Sequence, residues 1–160
     1  MKKSLLVLAV VLFQLPNLLA QNNDVKVYNF HDAELLSEFE KLDLDQSHQN
    51  LLNPQVSKDS INEVIKSWSA LHQAIGSHLK SADFHWNVET ESISIVHKIY
   101  FHNDGKIKAH FFRVLTPELP EEVIQAFSDQ LEVFGKTYQL NITREDDFAQ
   151  CGKARYTISD

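Results

Sequence analysis

The stretch Lys98-Ile99-Tyr100-Phe101-His102-Asn103-Asp104-Gly105-Lys106-Ile107-Lys108-Ala109-His110-Phe111 decides the fold. Two alternating runs flank an Asn-Asp-Gly turn, which is the pattern of a β-hairpin. Its register follows from the loop length. A two-residue loop at Asp104-Gly105 sets Phe101 opposite Lys108 and Ile99 opposite His110, mixing apolar and charged groups on both faces. A three-residue loop, with Gly105 in the left-handed position, pairs Phe101 with Ile107, Ile99 with Ala109 and His97 with Phe111. The second register predicts a hairpin over 92–114 with one apolar face packed on Trp68, Phe127 and Leu131. Its other face carries Lys98, Tyr100, His102, Lys106, Lys108 and His110 as a basic stripe in water.

Working outward, Ser60 and Glu63 form a capping box for a helix over 59–80, with Ile61, Val64, Ile65, Trp68, Leu71, Ile75 and Leu79 on one face. Beyond Pro117, Pro120-Glu121-Glu122 opens a second helix, in which Val123, Ile124, Phe127, Leu131 and Phe134 face the core and Gly135 caps the end. Tyr138 to Thr143 reads as a strand, Glu145-Asp146-Asp147 as a loop, and Cys151 to Ile158 as a last strand. The order over 59–160 is α-β-β-α-β-β, an α+β domain with helices on one face of an antiparallel sheet. Residues 21–58 read as an N-terminal extension, with a short strand at Val25–Tyr28 and a short helix through Leu35, Leu36, Phe39 and Leu42. Asp43-x-Asp45-x-Ser47 begins like a calcium loop, but His48 stands where Gly is needed and Pro54 where Glu belongs. That stretch is therefore expected to be a solvated loop.

Residues 1–20 carry the parts of a secretory leader: Lys2-Lys3, an apolar run from Leu5 to Phe13, a break at Pro16, and a small residue at Ala20. Gln14, Pro16 and Asn17 interrupt the run before it reaches the roughly 20 apolar residues of a membrane span. Cleavage after Ala20 leaves an exported protein, periplasmic or extracellular, with no stable span. The full chain carries 15 basic and 22 acidic residues, net −7; without Lys2 and Lys3 the net is −9. Such a charge argues against nucleic-acid binding. A single cysteine excludes a disulfide framework or thiolate metal cluster.

No motif carries chemistry. Eight histidines invite a metal, yet no two sit at i, i+4 on a predicted helix, and those on the hairpin stand among lysines. No metal and no cofactor are expected. The chain has no G-x-S-x-G elbow, and Cys151, near Glu145-Asp146-Asp147, reads as an inert strand thiol.

The run Tyr100 to Ile107, the following helix, and Phe148-Ala149-Gln150-Cys151 resemble small secreted proteins of unknown function in Gram-negative bacteria. More distantly they resemble the ββαβ domain at the C-terminus of TonB energy transducers. The resemblance covers about residues 92–158. It implies an α+β fold and supplies no catalytic residue. The chain lacks the Pro-rich spacer expected of TonB-type proteins, so the transport role does not follow. The reading is a non-catalytic binding or protein-interaction module of the cell envelope, contacting an acidic envelope protein through an exposed sheet edge or through Tyr100, His102, Lys106, Lys108 and His110. The alternative is a small secreted hydrolase or metal-dependent enzyme.

Overall fold

The computed structural model describes residues 24–116 and 118–158; the leader expected over 1–20 lies outside them. Five strands form one sheet: β1 (Lys26–Asn29), β2 (Gln49–Asn50), β3 (Ser92–Phe101), β4 (Ile107–Thr116) and β5 (Phe148–Thr157), in the order β1-β4-β3-β5-β2. β3 pairs antiparallel with β4 and β5, while the edge strands β1 and β2 pair parallel with β4 and β5. The protein is α+β, but the sheet is mixed rather than antiparallel. Residues 24–58, read from the sequence as an extension, supply both edge strands.

The two long helices α4 (Ile61–Ser81) and α5 (Glu121–Thr137) follow α1 (Ala33–Glu40), α2 (Leu44–Ser47) and α3 (Pro54–Ser57). On one face of the sheet, Val64, Leu71 and Ile75 of α4 and Phe127 and Leu131 of α5 meet Ile93, Ile95, Ile99, Phe101, Ile107 and Phe112 in the main core. Details of the helices depart from expectation. Ser60 closes a 3-10 turn by donating from Oγ to the Ser57 carbonyl and makes no cap bond, while Glu63 pairs with Arg144. Ile65 lies 49% exposed. Gly135 is inside α5 rather than capping it, and a Cβ there would stand 2.8 Å from Val25 Cγ1, so it lets α5 approach the chain leading into β1.

The hairpin register is where sequence and structure part. The three-residue loop is present: His102 N–H donates to the Lys106 carbonyl, Phe101 pairs with Ile107, and Gly105 has φ 89°. One step further the ladder shifts, so that Tyr100 pairs with Ala109, Ile99 with His110 and His97 with Phe112. Lys108 is the extra residue of a β-bulge, and side-chain parity inverts beyond it. Phe111 and Tyr100 therefore share the second face of the sheet, and His110 joins Ile99 beneath the long helices.

That second face is not bare at this end. Tyr28, Tyr100, Ala109, Phe111 and Ala149 form a second core with Leu44, against which Phe30 and Phe39 pack. The rings of Tyr28 and Phe111 stack at 4.5 Å, and Phe39 lies 4.2 Å from Phe111. Helices thus lie on both faces, α1 and α2 covering half of the second one. The expected strand at 138–143 is an irregular segment with Leu140 and Ile142 buried. It makes a single bridge, Gln139 to Lys106, and laces onto the turn through Leu140 N–H to the Gly105 carbonyl.

Two glycines give a direct test. A Cβ on Gly105 would meet the Leu140 and Ile142 carbonyl oxygens at 2.5 and 2.9 Å, at a φ that disfavours side chains; one on Gly76, inside α4, meets nothing within 4 Å. Gly105→Ala should destabilise by more than about 2 kcal/mol, whereas Gly76→Ala should stabilise by roughly 0.5–1 kcal/mol. Urea unfolding of both variants checks this.

Candidate functional site

The five residues expected to share one surface do not: the bulge turns His110 to the opposite face, and the cover of α1 and α2 buries Tyr100 on the expected one. Tyr100 is fully buried on the second face, and its hydroxyl donates to Asp45 Oδ1 at 2.6 Å. His110 is fully buried on the opposite face. His102, Lys106 and Lys108 remain at the turn end, each beside a carboxylate: Lys106 Nζ is 3.0 Å from Asp104, and Lys108 Nζ and His102 Nδ1 are 3.3 and 3.6 Å from Asp147. They do not form one solvent-facing stripe.

Asp45, read as part of a solvated loop, fastens α2 to the sheet. Lys98 Nζ stands 2.6 Å from its carboxylate and 5.5 Å from the centre of the Tyr100 ring. Burial works against the Asp45 charge, but the bonds from Lys98 and Tyr100 outweigh it and hold the carboxyl below its ordinary value. Burial and that same carboxylate push the Tyr100 hydroxyl up, so it remains a donor. Cys151 lies half-buried in β5, and burial raises its thiol as well, leaving little nucleophilic thiolate at neutral pH.

Beside this lock, an open cleft of about 870 Å³ is lined by Ser47, His48, Gln49, Lys108, Arg144 and Asp147 among others. Ser47 Oγ is 2.9 Å from His48 Nδ1, and His48 Nε2 is 3.5 Å from Asp147. This has the outline of a nucleophile, base and acid, but the tautomer defeats it. His48 Nδ1 also lies 2.9 Å from the Leu44 carbonyl, which only accepts, so Nδ1 carries the proton and donates it there. Nδ1 then has no lone pair to take a proton from Ser47. Burial holds the imidazole neutral, and Nε2 faces Lys108 Nζ at 3.5 Å.

The grouping that sequence reasoning missed lies under α4. His97 Nδ1 and His110 Nε2 are 2.8 Å apart, and the Tyr156 hydroxyl sits 3.2 Å from His97 Nε2 and 2.7 Å from His72 Nδ1. One chain, His110–His97–Tyr156–His72, links β4, β3, β5 and α4. Among the described residues, its end atoms His110 Nδ1 and His72 Nε2 have no partner. The chain can be satisfied in two ways. Either every proton points toward His72 or every one points toward His110, and the last N–H is left over at that end. A shared ion is not the reading of this geometry: two ligands of one zinc stand about 2 Å from it on separate sides, whereas 2.8 Å is a direct hydrogen bond. No three His, Cys, Asp or Glu among the described residues are placed to hold a metal. A signal did exist, because His97 alternates with Ile95 and Ile99, and His72 continues the spacing of Trp68 and Ile75.

These histidines make the fold sensitive to acid. Burial lowers His72 and His110 to about 3, and lowers His97 well below the ordinary imidazole value. In the unfolded chain they titrate near 6.5. Below that pH the unfolded state binds protons that the folded state refuses. For His72 and His110 the stabilisation is therefore fully present above about pH 6.5 and is lost as the pH falls toward about 3, by about 1.4 kcal/mol per pH unit for each, and His97 acts in the same direction. Urea midpoints between pH 7.5 and 5 should fall accordingly, corresponding to about two to three protons taken up on unfolding. A flat profile in that window would mean that the chain is not sealed.

Among the described residues, no helix is long and apolar enough to cross a membrane. In comparisons with known proteins, no family model, no curated protein and no solved structure matches the chain.

Proposed function

We propose that this protein is an exported, non-catalytic interaction module that engages an acidic protein of the cell envelope. The observation that carries the reading is the arrangement of its reactive side chains, which serve the fold. His48 is bonded to a backbone carbonyl, three histidines are neutral beneath α4, and Cys151 is held as a thiol. A surface function is what these locks leave open. The leader-like residues 1–20 support export. A sheet whose outer strands are short supports contact with another protein. β2 has two residues, so beyond Cys151 most of the outer edge of β5 has no neighbouring strand among the described residues.

The second reading is a hydrolase using Ser47, His48 and Asp147, favoured only by their spacing. One experiment separates the two. Affinity-tagged protein is recovered from envelope extract at low and high salt, and the same preparation is assayed against ester and peptide substrates. The module reading expects a polypeptide beginning at Gln21 and a discrete acidic protein retained at low salt and released at high salt. No retained protein, together with a turnover abolished by Ser47→Ala and His48→Ala, would overturn it in favour of the hydrolase.

A further inference from the structure

The second face of the sheet is covered only in part. Past Phe111 and Cys151, alternation places Arg113 of β4 and Lys153 and Arg155 of β5 on it, and all three are exposed. Arg113 and Lys153 flank the same residue of β3, half-buried Val96, and Arg155 pairs with Ser94 one step along. Strand spacing puts Arg113 and Lys153 roughly 10 Å apart, and Lys153 and Arg155 roughly 7 Å apart. Among the described residues none of the three has an ion-pair partner; Lys26, Lys41, Lys58, Lys66 and Lys80 have none either, but they are scattered over β1, the loops and α4, whereas these three stand together on neighbouring strands. Three uncompensated cations thus stand together on a chain whose net charge is −7.

We infer that this bare half-face, Arg113, Val96, Lys153 and Arg155, is the docking surface for an acidic segment of a partner protein laid across the sheet. The inference rests on the module reading above and names its contact. The chemistry of the occupant is indicated by what covers the neighbouring half. There the chain lays down its own residues 33–48, which carry five carboxylates and one lysine. That segment seats Phe39 and Leu44 on the sheet and fixes Asp45 to Lys98 and Tyr100. The open half offers the same elements, an apolar residue between cations beside buried Ser94, and among the described residues no acidic segment lies over it.

Other occupants fit less well. Residues 1–23 hold two lysines and no carboxylate. A second copy docked through the same face would set cations against cations. A nucleic acid or an anionic bilayer would carry its charge well past the three cations and meet the acidic remainder of the molecule, whereas a short acidic segment needs to cover only this half-face.

The test uses a fluorescein-labelled 16-residue peptide with the sequence of residues 33–48, and a version with its carboxylates changed to amides, titrated into the full-length protein. Wild type should bind the acidic peptide, lose it steeply with salt, and ignore the amide version. Arg113→Glu with Lys153→Glu and Arg155→Glu should weaken binding by at least about tenfold, while Lys106→Glu with Lys108→Glu leaves it unchanged. A Gln triple at the same three positions, with circular dichroism to confirm folding, should weaken binding to a lesser degree. Binding that survives the charge reversal would mean that the peptide exchanges with the chain's own segment on the covered half, and would overturn the proposal. No binding, or tighter binding to phosphatidylglycerol vesicles or a 20-base-pair duplex, would overturn it as well. The two proposals fail differently: an envelope protein retained equally by wild type and the charge-reversed triple sinks this surface and leaves the module reading standing, whereas no retained protein with peptide binding intact sinks the module.

Discussion

The insertion of one residue, Lys108, into the ladder between β3 and β4 decides which side chains of the molecule meet. On the turn side of the bulge Phe101 faces Ile107, and on the far side Ile99 faces His110. Because side chains in a strand alternate with a period of two, a single extra residue exchanges the faces of everything beyond it. Had β4 run regularly, Phe111 would lie under the long helices and His110 in water. Instead His110 reaches His97 and begins the buried chain to Tyr156 and His72, and Phe111 becomes the platform on which Tyr28 stacks and against which Phe30 and Phe39 pack at a tilt.

The N-terminal segment follows from that exchange. A face presenting Tyr100, Ala109 and Phe111 cannot be left to water without cost, at about 25 cal/mol per Å² of apolar surface. α1 and α2 cover it, and Asp45 draws Lys98 and Tyr100 into one bonded cluster over the new core. The cover stops before Arg113, Lys153 and Arg155. The sheet is thus apolar and closed toward its turn end and cationic and open toward the other. On the opposite face the long helices close over three neutral histidines, which tie β3, β4, β5 and α4 by hydrogen bonds at the expense of an unpartnered nitrogen at either end of the chain.

Much of the fold was legible, and the misreadings have a shared cause. The periods of α4 and α5, the hairpin, the left-handed Gly105 and the strand near 25–28 were all visible as local patterns. What was hidden depends on pairing between distant segments. The bulge breaks alternation at one residue, and Ala109-His110-Phe111-Phe112 has no alternation of its own because both of its faces are buried. The parallel edge strands β1 and β2 are too short to announce their partners, and residues 138–143 have the composition of a strand but spend their bonds on Gly105 and the turn. The candidate site suffered most. Two of its five expected residues are buried, His110 because the bulge turns it inward and Tyr100 because residues 33–48 cover its face, while Arg113, Lys153 and Arg155 drew no attention, because their grouping appears only when the sheet is assembled.

Cross-strand proton contacts between β3 and β4, measured by nuclear Overhauser spectroscopy on isotope-labelled protein, test the central claim most directly. In an antiparallel ladder directly opposed residues bring their backbones within about 4.5–5.5 Å. The account predicts contacts of Phe101 with Ile107, Tyr100 with Ala109 and His97 with Phe112, with Lys108 unpaired. Contacts of Ile99 with Ala109 and of His97 with Phe111 would show a regular hairpin, and would contradict the bulge together with the buried histidine chain that depends on it.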